Sequence, residues 1–133
     1  MKLVVDTSAL MAILLAEPEA DRFASVMVAG SPAISAGTLV EAYRVAFLRR
    51  GPELCRELDR LLDLFAVEVV PVDREQARLA DEGQRRFGRG RGEQPAVLNL
   101  GDLFAYALAR ALEAPLLFKG ADFRATDVTP AVD

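Results

Sequence analysis

The sequence opens with Leu3-Val4-Val5-Asp6-Thr7-Ser8, a short apolar run that ends at an aspartate and is followed by two hydroxyl residues. The apolar run predicts a buried strand, and Thr7 and Ser8 can cap a helix that continues to about Ala16. When strands and helices alternate along a chain, right-handed crossovers build a parallel sheet with helices on both faces. The opening residues therefore predict an α/β fold with a short parallel sheet.

The rest of the chain continues the alternation of helices and strands. We predict further helices over 19–29, 38–50, 54–65, 74–87 and 99–113, and further strands over 33–35, 67–72 and 116–118. Pro71 interrupts the strand over 67–72, so that strand is predicted near an edge of the sheet. No linker, repeat or change in composition divides residues 1–133, which predicts a single domain.

The composition excludes several classes of catalytic site. The 133 residues include no histidine and one cysteine, Cys55, which rules out Ser-His-Asp triads, Cys-His dyads and Cys/His zinc sites. Any catalysis must therefore use carboxylates, hydroxyls, arginines or a metal ion. The cysteine count and the lack of a long uninterrupted apolar stretch lead us to expect a cytoplasmic protein with no membrane partner.

The charge distribution leaves two interpretations open. The net charge of −4 argues against a polyanionic partner. Four arginines nevertheless lie within seven positions: Arg85, Arg86, Arg89 and Arg91. This cluster is either a site that binds the phosphates of a nucleic acid or an ordinary solvated loop.

Four acidic residues occupy positions that are unusual for surface carboxylates. Two follow predicted strands, and two lie in the first turn of largely apolar helices: Asp6, Asp122, Glu41 and Asp102. Ligands of parallel α/β sheets bind beyond the carboxyl ends of the strands. We therefore predict that the four carboxylates meet at that edge and form a catalytic site.

Each of these residues also has a structural interpretation. Glu41 completes a capping-box pattern with Thr38, or pairs with Arg44 three residues later. Asp102 suits the positive end of a helix dipole, and Asp6 can cap the helix that follows it. Taken singly, Glu41 and Asp102 are explained by helix stability alone.

Taken together, the four carboxylates need a positive partner, because they repel one another by about 4 kcal/mol per close pair at an effective dielectric constant near 20. Oxygen ligands without nitrogen or thiolate favour Mg²⁺ or Mn²⁺, which suits phosphodiester hydrolysis. Ser8 either hydrogen-bonds a ligand of such a site or helps to cap the helix. Asp127 follows the same strand as Asp122 and competes with it for the fourth position.

The chain also resembles a known family in four stretches of sequence. They are VVDTSAL from Val4 to Leu10, GTLVEA from Gly37 to Ala42, LNLGDLFAYA from Leu98 to Ala107, and LFKGADF from Leu117 to Phe123 with Thr126-Asp127. In order and spacing these stretches resemble PIN-domain ribonucleases of the VapC toxin type, over the whole chain. The resemblance implies a three-layer α/β/α fold and a Mg²⁺- or Mn²⁺-dependent endoribonuclease that a cognate antitoxin inhibits.

The resemblance also implies roles for individual residues. The acidic quartet of the family corresponds to Asp6, Glu41, Asp102 and Asp122. Asp6 and Asp102 are implied as the direct metal ligands, and the other two complete the pocket through water or a second ion. Gln94 and Leu103 stand where the family often has histidine and cysteine, which leaves every carboxylate in place but could alter contacts with the RNA substrate.

Apolar residues in the first half of the chain exceed the need of one small core, notably over 11–15 and 54–65. They are either ordinary core residues or, as the resemblance implies, part of a homodimer interface and of a groove that receives the antitoxin.

Two other functions are compatible with parts of the sequence. A phosphoryl-receiver domain also has acids at strand ends, Mg²⁺ and a lysine after its last strand, for which Asp73 and Lys119 are candidates. It needs two adjacent acids after the first strand, however, and here Thr7 follows Asp6. A catalytically inactive PIN-like module that binds RNA or a partner is the other alternative, and the four retained acids argue against it.

Overall fold

The computed structural model of the protein describes residues 1–90 and 97–133. Along the chain its elements are β1 (Lys2–Val5), α1 (Thr7–Leu14), α2 (Ala20–Ala29), β2 (Ser31–Ser35), α3 (Ala36–Leu64), β3 (Glu68–Val70), α4 (Arg74–Phe87), α5 (Leu100–Leu112) and β4 (Leu116–Leu117). The predicted alternation of strands and helices is confirmed.

The four strands form one parallel sheet in the order β3-β2-β1-β4. The central strand β1 pairs with β2 on one side and with β4 on the other, and its Val4 lies opposite both Ala33 and Leu116. Strand β3 pairs with β2 alone and ends just before Pro71. The edge position predicted for this strand is therefore confirmed, and the proline explains its short length.

Successive residues of β1 face opposite sides of the sheet, which produces three layers. Leu3 and Val5 pack with apolar residues of α1, α2 and α3. Val4 packs on the other face, with residues of α5 and with Ala80 of α4. The α/β/α arrangement is therefore confirmed, and each face of the sheet has its own apolar core.

Polar residues begin the helices at the carboxyl edge of the sheet. Asp6 caps α1 by accepting a hydrogen bond from the backbone of Ser8. Asp73 caps α4, as predicted. Asn99 and Asp102 form a reciprocal capping box at the start of α5. Acidic residues at this edge therefore contribute to helix stability whatever else they do.

The start of α3 differs from the prediction. The helix begins at Ala36, and Ser35 caps it by accepting a hydrogen bond from the backbone N–H of Gly37. The predicted capping box of Thr38 and Glu41 is wrong, because Ser35 already supplies the cap. No ion pair within the described residues involves Glu41, so its predicted pairing with Arg44 is not seen either.

Helix α3 contains the break predicted at Gly51-Pro52. Gly51 has a φ of 69°, in the left-handed region that favours glycine, and Arg50 also leaves the helical range. Pro52 then starts the second half, where a missing N–H costs nothing. The predicted helices over 38–50 and 54–65 are therefore two arms of one bent element.

Some of the many apolar residues in the first half of the chain lie in the core, and others are exposed on the surface. Met11, Leu54 and Leu58 are buried, which is ordinary core packing, whereas Leu64 is 80% exposed and Val28 of α2 is similarly open. In the two stretches that the structure describes, no helix combines the length and hydropathy needed to cross a bilayer.

Candidate active site

Four different segments carry the acidic residues that were predicted to meet. Asp6 follows β1, Glu41 lies in α3, Asp102 lies in the first turn of α5, and Asp122 lies in the segment after β4. The carboxylates of Asp6, Glu41 and Asp122 are all close enough to raise the pKa of Asp102. The structure therefore brings the four residues together at the carboxyl edge of the sheet.

Asp6 is the most enclosed of these carboxylates, with 4% of the residue exposed. Its Oδ2 accepts hydrogen bonds from the backbone N–H of Ser8 at 3.1 Å and from the Ser8 hydroxyl at 2.6 Å. Its Oδ1 is buried and has no hydrogen-bond donor among the described residues. The pKa of Asp6 is raised from 3.8 to about 6, mainly by burial and to a smaller extent by the charge of Glu41, against the opposing effect of the Ser8 hydrogen bonds.

Asp102 is 8% exposed and is held by the first turn of α5. Its Oδ2 accepts a hydrogen bond from the backbone N–H of Asn99 at 3.1 Å, and its own N–H donates to the Asn99 side chain at 3.0 Å. Burial is the main reason that the pKa of Asp102 rises to about 7, and the neighbouring carboxylates add to it. Asp102 thus takes part in the capping box of α5 and carries a desolvation cost at the same time.

Glu41 reaches this cluster from α3 and has a neighbouring residue at each carboxylate oxygen. Its Oε1 accepts a hydrogen bond from the hydroxyl of Thr7 at 2.6 Å. Its Oε2 lies against the bare Cα of Gly101, where an added Cβ would approach it to 1.8 Å. The Glu41 carboxylate therefore occupies a defined position between the residue after Asp6 and the residue before Asp102.

No lysine or arginine in the described part of the chain forms an ion pair with the four carboxylates. Lys119 follows β4, but its ammonium group contacts Glu17 at 3.0 Å and Glu19 at 3.3 Å. The backbone N–H of Lys119 donates to the Ser8 hydroxyl at 3.0 Å. Ser8 therefore contacts a site carboxylate, one of its two predicted roles, and links Asp6 to the segment that carries Asp122.

Asp127 lies in a different environment. The hydroxyl of the buried Tyr106 donates to its Oδ1 at 2.8 Å, and the guanidinium groups of Arg86 and Arg110 contact its Oδ2 at 3.2 and 3.1 Å. These partners neutralise Asp127 and tie the end of the chain to α4 and α5. Of the two candidates for the fourth acidic position, the structure therefore places Asp122 beside Asp102 and gives Asp127 its own ion-pair network.

Two arginines of the basic cluster, Arg85 and Arg86, form ion pairs within the protein. Arg85 pairs with Asp81 one turn earlier on α4, at 3.1 Å. Arg86 pairs with Glu82 as well as with Asp127, and its guanidinium lies over the ring of the next residue, Phe87. Both arginines therefore make local contacts on α4, while their side chains stay 77% and 48% exposed.

The other predicted positions of this region have separate outcomes. Arg89 is exposed just after α4, and its backbone N–H donates to the carbonyl of Leu98. Arg91 and Gln94 lie outside the described residues. Leu103, where the family often has cysteine, is buried in the core of α5.

The donor chemistry of the site fits a hard divalent cation. Carboxylate oxygens are the ligands that Mg²⁺ and Mn²⁺ prefer, and Asp6 Oδ1 is a buried oxygen with no hydrogen-bond partner in residues 1–90 and 97–133. Within the described ranges, no three acidic or cysteine side chains already enclose a metal-sized space. Magnesium is usually bound by one or two carboxylates and several waters, so two direct protein ligands are sufficient.

The comparison with known proteins decides the family. The family model "PIN domain" matches residues 3–128. The chain belongs to the PIN-domain family. Ribonuclease VapC42 of Mycobacterium tuberculosis is 43% identical over 130 residues, which are 97% of this chain and 98% of that protein. Ribonuclease VapC28 of the same organism is 42% identical over 132 residues, 98% of each. The resemblance to VapC-type PIN-domain proteins is thus confirmed.

Solved structures share the PIN-domain fold of this chain. Mycobacterium tuberculosis VapC20, described as a sarcin-ricin loop cleaving toxin, superposes with a TM-score of 0.76 at 16% identity and covers 96% of both chains. A toxin-antitoxin complex from Klebsiella pneumoniae superposes with a TM-score of 0.70 at 18% identity, over 98% of both chains. At these identities the likeness concerns the fold alone.

Two residues of this PIN-domain site were missed from the sequence. Thr7 was interpreted only as a helix cap, although it directly follows Asp6. Gly101 is a poor helix former in the first turn of α5, and such a glycine signals the close approach of another group. That signal was available in the sequence, but it does not identify Glu41 as the group that approaches.

Because the pKa of Asp6 is raised in the folded state, the free energy of unfolding of the metal-free protein should depend on pH. The folded-state pKa is above the unfolded value, so this residue stabilises the fold at low pH and loses that contribution as the pH rises through about 6. Asp6→Asn abolishes the titration. We expect the free energy of unfolding, relative to wild type, to be about 1–3 kcal/mol more favourable at pH 8 than at pH 4.

Urea denaturation with a chelator present, at both pH values, measures this difference. The matched control is Glu57→Gln, which removes an exposed carboxylate of α3 and should give no comparable change between the two pH values. A stability effect of Asp6→Asn that is equal at pH 4 and pH 8 would contradict the prediction.

Proposed function

We propose that this PIN-domain protein is a metal-dependent endoribonuclease and the toxin of a toxin-antitoxin pair. The observation that carries the proposal is the buried, unpartnered Oδ1 of Asp6, which lies among carboxylates that no cation of the described residues neutralises. The full-length relatives VapC42 and VapC28 are named ribonucleases, and the Klebsiella pneumoniae structure is a toxin-antitoxin complex. These names support the assignment of activity and partner.

Asp6 and Asp102 would hold the ion directly. Each uses its Oδ2 for hydrogen bonds within the fold, to Ser8 and Asn99 respectively, so that Oδ1 is left for a ligand. Bound Mg²⁺ or Mn²⁺ polarises a phosphoryl oxygen and lowers the pKa of water. Glu41 and Asp122 would complete the anionic pocket.

Residues that hydrogen-bond to Asp6 and Asp102 control the orientation of the two carboxylates, and their burial affects the charge. Ser8 and Asn99 each fix one carboxylate rotamer through a donated hydrogen bond. Because burial raises the pKa of Asp102 to about 7, cation binding near neutral pH displaces a proton from the site. The affinity for the ion should therefore increase as the pH rises through about 7 and level off above it.

Asp102→Asn tests the proposed metal site and the nuclease activity together. The substitution keeps the size of the side chain but removes one anionic ligand. We expect Mn²⁺ affinity to fall at least about tenfold and cleavage of RNA to fall at least about 100-fold. Calorimetric titration with Mn²⁺ and a gel assay of RNA cleavage, with and without chelator, provide the measurements.

Glu57→Gln, on the exposed side of α3, is the control and should match wild type in both assays. Wild-type cleavage that persists in chelator, or full activity of Asp102→Asn, would exclude the proposed site. Binding of Mn²⁺ and RNA without cleavage would instead identify an inactive module. An aspartyl phosphate formed from a small phosphodonor would identify a receiver domain.

The RNA backbone is proposed to contact Arg89 and, outside the described residues, Arg91. Arg85 and Arg86 were candidates as well, but they are engaged with Asp81 and Asp127. Arg89→Ala should weaken RNA binding and reduce the slope of log affinity against log salt concentration by about 0.7 for a single-stranded substrate. Fluorescence anisotropy between 50 and 300 mM salt measures the slope, and Arg85→Ala is the matched control. Equal slopes for the two variants would contradict the assignment.

Exposed apolar residues support the proposed homodimer. Leu100 at the start of α5 is 73% exposed, and the face of α3 that adjoins it carries three more open apolar side chains: Val40, Phe47 and Leu48. Contact between Gly101 and Glu41 joins these two helices at that point. These exposed apolar residues therefore lie on two helices that contact each other, and we propose that they form the interface between two copies.

A second apolar surface supports the proposed antitoxin partner. A groove between α1 and the end of α3 is lined by Ile13, Leu14, Leu61 and Phe65, and it adjoins a second hollow at Val28 of α2. Glu57 and Arg60 border the groove and supply charged positions at its rim. An apolar antitoxin segment flanked by charged residues would suit this surface.

Phe47→Glu places a charge in the proposed dimer interface. Sedimentation at micromolar concentration should show a dimer for the wild type and a monomer for this variant, because burying an unpaired carboxylate in an interface is costly. Val28→Glu alters the other apolar surface and should leave the dimer intact. A monomeric wild type, or dissociation by Val28→Glu alone, would contradict the assignment of the interface.

A further inference from the structure

We propose that Thr7 and Gly101 are positioning residues that together fix the carboxylate of Glu41 within the acidic site. The inference rests on the proposed nuclease function and adds two residues to it, neither of which carries a charge or a metal-binding carboxylate. It is based on two independent contacts, one at each oxygen of Glu41.

The first contact is a hydrogen bond from α1 to α3. The Thr7 side chain is buried, and its hydroxyl lies 2.6 Å from Glu41 Oε1 and 3.4 Å from the backbone carbonyl of Thr38. A carboxylate is the stronger acceptor and the distance to it is much shorter, so the hydroxyl donates to Glu41. Thr7 and Glu41 are 34 positions apart, and this bond connects the first turn of α1 to the second turn of α3.

The second contact depends on the absence of a side chain. An ideal Cβ on Gly101 would lie 1.8 Å from Glu41 Oε2 and 2.6 Å from Glu41 Cδ. The backbone of Gly101 does not have a positive φ, unlike that of Gly51, Gly90 and Gly120. Glycine is therefore required at position 101 for space rather than for backbone conformation, and the group that fills the space is the Glu41 carboxylate.

The two contacts place Glu41 relative to both proposed ligands. Thr7 follows Asp6 and Gly101 precedes Asp102, so each contact residue is joined covalently to one of the carboxylates that would bind the ion. Glu41 is only half-buried, and repulsion from Asp6 and Asp102 favours its rotation towards solvent. The hydrogen bond from the Thr7 hydroxyl opposes that rotation, and the missing side chain at Gly101 leaves the space that the carboxylate occupies.

A thermodynamic cycle with Glu41 distinguishes positioning from a general structural role. The single variants are Thr7→Val, Thr7→Ser, Gly101→Ala and Glu41→Ala, and the doubles combine Glu41→Ala with Thr7→Val or with Gly101→Ala. Mn²⁺ affinity by calorimetry and single-turnover RNA cleavage are measured for each. Thermal unfolding in chelator shows which variants are folded.

Thr7→Val and Gly101→Ala should each reduce Mn²⁺ affinity or the cleavage rate constant by roughly 10- to 100-fold, with little change in the KM for RNA. Thr7→Ser keeps the hydroxyl and should recover most of the loss. In the Glu41→Ala background, where the carboxylate is absent, neither substitution should have a further effect. Thr129→Val, which removes an exposed threonine hydroxyl far along the chain, is the control and should match wild type.

Several outcomes would overturn the inference while leaving the proposed function intact. A folded Thr7→Val with wild-type Mn²⁺ affinity and cleavage excludes a role for the hydroxyl. Effects of the doubles that equal the sum of the single effects exclude action through Glu41. Failure of the proposed function looks different, because the wild type itself would then neither bind Mn²⁺ nor cleave RNA.

Discussion

Mutual repulsion among carboxylates at one edge of the sheet is the constraint on which the rest of this structure depends. Asp6, Glu41, Asp102 and Asp122 come from four segments, and none of them has an ion-pair partner in the described residues. Neutral donors hold them instead: Ser8 contacts Asp6, Asn99 contacts Asp102, and Thr7 contacts Glu41. Hydrogen bonds from neutral donors orient these carboxylates without cancelling their charge.

The sequence predicted this edge correctly because the rule behind the prediction is topological. Asp6 directly follows β1 and Asp122 lies shortly after β4, and in a parallel sheet those strand ends must lie on the same side. Local patterns were less reliable. The Thr38-to-Glu41 pattern fits a capping box, but Ser35 caps the helix one turn earlier, and the glutamate is used for a contact with Thr7 instead.

Contacts between distant residues could not be predicted from spacing. The pairing of Arg86 with Asp127 spans 41 positions, and it turns one candidate for RNA contact and one candidate acid into parts of a structural network. Tyr106 and Arg110 complete that network from α5. Such pairings follow from how α4, α5 and the end of the chain pack, which depends on the three-dimensional fit of the core rather than on local sequence.

Asp6 and Asp102 both contribute to the start of a helix, and their negative charge says more about a binding site than their hydrogen bonds do. A helix N-cap needs only a hydrogen-bond acceptor, and serine or asparagine serves about as well as aspartate. Aspartate at the buried position 6 adds a desolvation cost that a neutral cap avoids, and this cost appears as a pKa of about 6. Asp102, with a pKa of about 7, carries the same excess cost within a capping box. The interaction of a negative charge with a helix dipole contributes typically about 0.3–1 kcal/mol, so helix stability accounts for an acceptor at each position but offsets only part of the desolvation cost of its charge. A ligand that binds only the folded chain and neutralises the carboxylates would recover this cost, and its binding would then be thermodynamically coupled to folding.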